Sequence, residues 1–362
     1  MGSLILPWML APLVAIRLSQ PSRSIRHPLS VSARAEALRY ASRHWAFFDR
    51  FVTTETHWLA PDNFQSEPEP VVAMRTSPTN IGLQLLSTVS AQDLGLLALG
   101  EMTTRLERTM ATLRSLPRYR GHFYNWYDLH DPQNLRVLEP AYISTVDSGN
   151  LAGHLIALRQ ACLALAAPPS ECRARLLVLA DQAYTLAVEM DFGFLYDRDR
   201  KLFTIGYHPD TLAPDGSFYD LLASEARLAS FIAIAKNDVP VAHWFRLSRS
   251  LNRTSGAIAL ISWSGSMFEY LMPLLVMRSL PFTLLEQTYR SVVDRQEAYT
   301  RARAVPWGMS ESAYNLRDRH QTYQYRAFGV PDLALKRGLG RDLVIAPYAT
   351  ALAALVDPSR AL

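Results

Sequence analysis

Lysine is nearly missing from this sequence. Lys201, Lys236 and Lys336 are the only three among 37 basic residues, and the arginines that make up the rest are scattered. The net charge is +4. A pI of 9.1 built this way does not mark a nucleic-acid surface, which needs clustered cations. Cysteine is as scarce. Cys162 and Cys172 are the pair, with no CxxC and no histidine at ligand spacing. They cannot build a zinc site of about four ligands and read as reduced structural thiols. The chain has no G-x-x-x-x-G-K-[ST], no G-x-G-x-x-G after a strand and no H-E-x-x-H. Ser264 is flanked by Ser262 and Ser266 where a nucleophile elbow needs glycines. No cofactor and no metal is expected.

A full membrane span is missing too. Met1–Ile16 is almost wholly apolar but short of the roughly 20 residues that cross a bilayer. It has neither the basic n-region nor the cleavage site of a signal peptide. Arg17, Arg23, Arg26 and His27 follow it, a flank that belongs on the cytoplasmic side. The segment reads as the tail of a membrane helix that starts upstream, or else as a buried hydrophobic arm. Pro21–Pro28 reads as a linker. The expected division is 1–28, membrane-helix remnant and linker, and 29–362, one folded domain.

What the chain does have is apolar residues, 49% against 19% charged, enough for a large core. Their period is helical nearly throughout. Helices are expected at Ala33–Val52, Asn80–Val89, Leu94–Leu116, Asn150–Leu165, Glu171–Met190, Tyr219–Ala235, Ala242–Arg249, Met267–Met277, Thr283–Arg303 and Val344–Val356, with a hairpin at Phe194–Ile205. Long, striped helices alternate with apolar ones that follow polar, aromatic loops. Apolar helices belong inside and striped ones outside. The expectation is an all-α fold, an α/α toroid with a cleft at its loop end; an irregular helical bundle fits the same pattern.

Four loops mix aromatics, carboxylates and amides: His57–Gln65, Arg118–Asp128, Ser144–Asn150 and Pro306–Asn315. Buried polar groups need partners, and exposed aromatics need a reason. A saccharide supplies both, through hydroxyls for Asp147, Asn150, Asp128 and Asn315 and ring faces for Tyr124, Trp126, Tyr127, Trp307 and Tyr314. Glycosyl transfer also needs two carboxyl groups. Glu225, Glu269 and Glu311 are the candidates, the first two because apolar neighbours force each carboxyl to be desolvated or paired. These residues alone leave the roles open.

Longer stretches carry a resemblance: RTSPTNIGL (75–83), YRGHFYNWYD (119–128), STVDSGNLAGHL (144–155), YDLLASEARLASFIAIAK (219–236), SWSGSMFEYLMPLLVMR (262–278), VPWGMSESAYN (305–315), FGVPDLALKRGL (328–339) and VIAPYATALA (344–353). Over nearly its whole length the chain resembles the middle, glycoamylase-like region of bacterial cyclic β-1,2-glucan synthases, of glycoside hydrolase family 189. The resemblance implies an (α/α)6 barrel and a retaining transglycosylase that cyclises linear β-1,2-glucan. A β-1,2-glucan hydrolase on the same fold, or a non-catalytic glucan-binding remnant, are the alternatives. Carried over by motif, Glu311 of WGMSESAYN is the nucleophile and Glu225 of LLASEARL the acid/base, acting directly or through a substrate hydroxyl. Glu269, read from its own place at the start of an inner helix, is expected to bind a hydroxyl without doing chemistry. The family's synthases add a glycosyltransferase domain upstream and a phosphorylase-like domain downstream. With Met1–Ile16 read as part of a membrane helix, the expected place is the cytoplasmic side of the inner membrane. The synthases also continue with further barrel helices past the point matching Leu362, so a barrel incomplete at its C-terminus is expected.

Overall fold

A computed structural model describes residues 10–12, 29–131, 133–254 and 257–361. The first long helix, α1 (Val31–Phe51), starts where the Ser30 hydroxyl accepts from Ala33 N. Next come α2 (Pro78–Asp93), α3 (Leu99–Ser115), α4 (Thr145–Ala166) and α5 (Arg173–Glu189). Ser77 caps α2 through Asn80 N, with Pro78 in the first turn, and Ser144 caps α4 through Asp147 N. Both starts obey ordinary N-terminal chemistry, in which a hydroxyl takes an otherwise unpaired amide and proline costs no hydrogen bond.

The helix α4 is the hub. Nearly every residue from Thr145 to Leu155 is buried, on all faces, and the helix packs on α2, α5 and α6 (Arg227–Ala235). Small residues make that crowding possible. A Cβ on Gly149 would lie 2.4 Å from Ala229 Cβ, and one on Gly82 would lie 2.9 Å from His154 Cγ. In contrast, α3 buries Met102, Leu106, Met110 and Leu113 along one face only, as a helix at the edge of a core should.

Beyond α6 come α7 (Ala242–Arg246), α8 (Met267–Leu271), α9 (Leu284–Arg301), α10 (Pro347–Ala353) and α11 (Pro358–Ala361). These surround a second apolar cluster that includes Met267, Tyr270, Tyr289, Val292, Met309, Val330 and Ala349. The first cluster fills the space among α2 to α6.

The all-α expectation needs correction. Among the described residues, short antiparallel strand pairs and triplets stand between the helices. The expected hairpin is one of them, with Leu202 and Phe203 opposite Asp197 and Tyr196. The helix expected from Tyr219 starts only at Arg227, because Phe218–Tyr219 pairs with Phe203–Thr204 and Leu221 bridges to Ser248. Tyr314 and Asn315 lie in a further hairpin, Ser312–Arg317 with Tyr323–Arg326. The fold is therefore helix-rich, with small sheets between the helices. No helix among the described residues is long and apolar enough to cross a membrane. The Met1–Ile16 stretch, save residues 10–12, lies outside them.

Candidate active site

The start of α4 builds one wall of the site. The Thr79 hydroxyl, from the first turn of α2, donates to Asp147 Oδ1 at 2.6 Å. Asn150 Nδ2 reaches Thr79 Oγ1 at 3.1 Å and Glu225 Oε2 at 3.4 Å. With the Asn125 amide turned to suit its neighbours, its nitrogen donates to Asp147 Oδ2 at 3.0 Å and its oxygen accepts from Trp126 Nε1 at 3.1 Å. A continuous chain of polar contacts thus runs from Trp126 to Glu225.

Glu225 lies in the turn just before α6. The residue is half-buried, with its carboxyl deep enough for burial to dominate its protonation. Burial pushes it well above the ordinary carboxylate range. The Glu311 charge is the next cause, then those of Asp147 and Glu269, while the Asn150 hydrogen bond opposes them. Arg227, fully buried two residues on, spends its guanidinium on the carbonyls of Ser224, Glu269 and Tyr270.

Glu311 precedes the 312–326 hairpin. Burial and the Glu269 charge raise it, while the Tyr325 hydroxyl and Lys336 lower it. That hydroxyl donates to Glu311 Oε2 at 3.1 Å. The Glu311 backbone is fixed from below by Tyr348, whose hydroxyl lies 2.9 Å from Glu311 O and 2.8 Å from Ser310 Oγ. Burial pushes Asp147 upward too, against its hydrogen bonds from the Ser144 and Thr79 regions. Among the described residues the side-chain partners of Asp147, Glu225, Glu269 and Glu311 are neutral donors and not cations within ion-pair distance. Carboxyls that raise one another without an ion-pair partner are costly for a scaffold and mark a candidate functional site.

Other expected site residues have different surroundings. Glu269 is 6% exposed, and its Oε2 takes hydrogen bonds from Ser262 Oγ, Ser264 N and Ser264 Oγ at 2.6–2.8 Å. That carboxylate anchors the 262–266 turn, though its charge still reaches the pair. Tyr127 is corrected from sugar platform to core residue. It is fully buried, and its hydroxyl donates to Pro117 O at 2.7 Å and accepts from Tyr124 N. Tyr124 packs edge-on against it. Asp128 is held by His130 at 2.6 Å and Arg136 at 3.2 Å. Trp126 stands under the Arg75 guanidinium, 4.7 Å from its ring centre. Trp307 lines a separate shallow groove with Glu297, Thr300 and Arg301 at the end of α9. Tyr314 packs on Phe328, and Asn315 is exposed on the hairpin.

Three tyrosines were not anticipated. Burial and then the Glu225 charge raise Tyr219 well above its usual range. Burial and then the Glu311 charge raise Tyr325. Tyr348 is raised by burial, with Glu311 and Glu225 adding to it. The alternation in Thr322-Tyr323-Gln324-Tyr325-Arg326 is a strand signal that could have flagged Tyr325.

The chain is helix-rich, and Asp147, Glu225, Glu269 and Glu311 act electrostatically on one another within it. Residues 217–362 match the Glycoamylase family model, so this part of the chain is a glycoamylase-like domain. The chain is also 38% identical, over 98% of its length, to the cyclic β-(1,2)-glucan synthase NdvB of Rhizobium meliloti. It spans 17% of that relative's length. Among solved structures, the endo-β-1,2-glucanase of Chitinophaga pinensis, a complex with sophorotriose and glucose, superposes with a TM-score of 0.71 at 13% identity, covering 92% of this chain and 81% of that one. The endo-β-1,2-glucanase of Talaromyces funiculosus with sophorose gives 0.67 at 15% identity, covering 90% and 78%. These two likenesses establish the shared fold.

Proposed function

We propose that this chain processes β-1,2-glucan through Glu225 and Glu311 by retaining glycosyl transfer, and that its reaction closes linear chains into rings. The observation that carries this reading is the electrostatic coupling of the two carboxyls. After burial, the Glu311 charge is the leading cause that raises Glu225 well above the ordinary carboxylate range. Glu311 is raised as well, by burial and then the Glu269 charge, but the Tyr325 hydroxyl and Lys336 oppose that rise. The more strongly raised Glu225 suits the acid role and the hydrogen-bonded Glu311 the nucleophile role. Glu311 attacks the anomeric carbon as Glu225 protonates the departing glycosidic oxygen, and a glycosyl ester forms on Glu311. Glu225, now ionised, takes the proton of an incoming sugar hydroxyl, whose oxygen displaces Glu311. If that hydroxyl is at the chain's own non-reducing end, the product is a ring.

The synthase relative supports transfer. Hydrolysis is the second reading, since the two structural neighbours named above are glucanases and only water in place of the sugar hydroxyl separates the outcomes. The (α/α)6 closure belongs to the same proposal, with 29–362 as the glucan-processing unit. So does a place on the cytoplasmic side of the inner membrane, with 1–28 leading from a membrane helix and glycosyltransferase and phosphorylase-like domains on the same polypeptide. Incubation with linear β-1,2-glucan tests the reaction. Products resistant to an exo-acting β-glucosidase are expected. Short reducing oligosaccharides would replace transfer with hydrolysis, and unchanged glucan would leave a binding remnant.

A further inference from the structure

The hairpin that follows Glu311, Ser312–Arg317 with Tyr323–Arg326, is held by different groups at its base and at its tip. Arg326 at the base lies over Tyr314 and the buried Phe328 and pairs with Asp342. The tip, around Asp318–Tyr323, is tied to the rest of the fold differently. Among the described residues both of its long-range hydrogen bonds go to one side chain. Gln65 Nε2 donates to Gln321 O at 3.1 Å, and Gln65 Oε1 accepts from Tyr323 N at 3.0 Å.

Gln65 belongs to the opposite side of the site. Its segment, Phe64–Gln65 paired with Val71–Val72, follows Asp62. Asp62 binds Arg75 at 3.0 Å and accepts from Asn80 Nδ2 at 3.2 Å. Arg75 covers Trp126, from which the polar contacts run through Asn125 to Asp147. The hairpin therefore bridges from the Glu311 side to the Asp147 side. Tyr325 stands between its two fixed ends, opposite Ala313 in the ladder. The residue is 65% exposed overall, although its hydroxyl end lies deep enough beside Glu311 for burial to raise it, so packing of the side chain alone does not hold that hydroxyl on Glu311.

We infer that the 312–326 hairpin is a strap across the carboxyl-bearing end of the fold, fastened by the Gln65 amide, and that Gln65 is thereby a positioning residue for the Tyr325 hydroxyl on Glu311. The inference rests on Glu311 being the attacking carboxylate only for its kinetic consequence. The hydroxyl occupies Oε2, stabilises the ionised form and leaves the second oxygen to attack. The other charges acting on Glu311 are Glu269 from α8 and Asp147 from α4, which disfavour ionisation, and Lys336, which favours it. Glu225 is near, and Tyr348 of α10 contacts the backbone. None of these is attached to the strap tip, so loosening Gln65 changes the Tyr325 contribution alone.

The test uses the full chain with Gln65→Ala, Tyr325→Phe and the double variant. The Glu311 carboxyl is followed by 13C NMR titration, its signal assigned by loss in Glu311→Gln, and kcat/KM on linear β-1,2-glucan is measured against pH. Both single variants should move the Glu311 titration and the acid limb of kcat/KM to higher pH. They should lower kcat/KM on that limb about tenfold, the scale of one hydrogen bond to a charged group. The double variant should match Tyr325→Phe alone, because Gln65 acts through Tyr325. An unmoved titration in Gln65→Ala, or additive effects in the double variant, would overturn the strap. A moved titration without any glucan turnover would keep the strap and refute the glucan reading instead.

Discussion

Asn150 Nδ2 lies within reach of both Glu225 Oε2, at 3.4 Å, and Thr79 Oγ1, at 3.1 Å, while its own Oδ1 is buried without a protein partner. Thr79 spends its hydroxyl hydrogen on Asp147, so it can only accept from Asn150. The order of donors is therefore fixed along the chain, and Asn150 is the group that favours ionised Glu225. Asn150→Ala removes that donor. Glu225 should then titrate at still higher pH, and the alkaline limb of the rate profile should move upward. The rate itself should fall about tenfold or more as the acid loses its positioning. A pH profile of kcat/KM for the two proteins checks this, and an unmoved alkaline limb would contradict it.

Gly149 tests how the scaffold supports the site. An alanine there would place its Cβ 2.4 Å from Ala229 Cβ and 2.5 Å from Ala229 Cα. Helices α4 and α6 would have to separate, at about 1–3 kcal/mol for overpacking. Asp147 and Asn150 flank this position, so activity should fall together with the denaturation midpoint. Urea unfolding and turnover measured side by side would show it; unchanged stability would mean the helices yield freely.

Two buried histidines set the acid limit of stability. Burial drops His122 and His154 from 6.5 to about 4. The neutral His122 ring donates from Nε2 to Asp191 O and accepts at Nδ1 from the Ser148 hydroxyl, both at 2.8 Å, and His154 Nδ1 donates to Asn150 O. In each the neutral ring is the folded form, so the unfolded chain binds the proton more readily. The stability they contribute is complete above pH 6.5 and is lost as pH falls toward 4, at up to about 3 kcal/mol for each. Unfolding free energies between pH 7 and 4 should show this slope, and His154→Gln should reduce it.

The sign is opposite for Glu225. Its folded value is raised, so the folded state holds the proton more tightly and loses stability as pH rises from the unfolded value to the folded one. Glu225→Gln removes a carboxyl that must take up a proton, or carry a disfavoured buried charge, for the chain to fold at neutral pH. It should stabilise the protein at pH 7 by on the order of 1 kcal/mol, or about 2 °C, with the gain fading near pH 4. Calorimetry at both pH values decides; destabilisation at pH 7 would mean the carboxylate is favourably held.

Much of the scaffold is legible in the sequence. The Ser77-Pro78 and Ser144 starts announce α2 and α4 by chemistry local to the chain, and the small apolar run of α4 announces its burial. Tyr219–Glu225 misleads because its apolar pattern suits a helix, while pairing with Phe203–Thr204 takes its first residues for a sheet. Tyr127 misleads for a related reason. An aromatic beside polar residues suits a cleft wall or a core equally, and only its hydrogen bonds to Pro117 and Tyr124 decide. Tyr325 and Gln65 escape notice because their partners are distant in the chain, Gln65 meeting Tyr323 across 258 positions.

The central claim is that Glu311 is the attacking carboxylate and Glu225 its acid/base partner. Glu225→Gln, given a short β-1,2-linked glucan with a 4-nitrophenyl leaving group, should form the glycosyl ester without needing a proton donor and then stall, because no base activates the acceptor. Acid-quenched peptide mass spectrometry should find glucan attached to the peptide that contains Glu311, and none when Glu311→Gln is added. Glucan on another carboxylate, or unimpaired turnover in Glu311→Gln, would contradict the assignment.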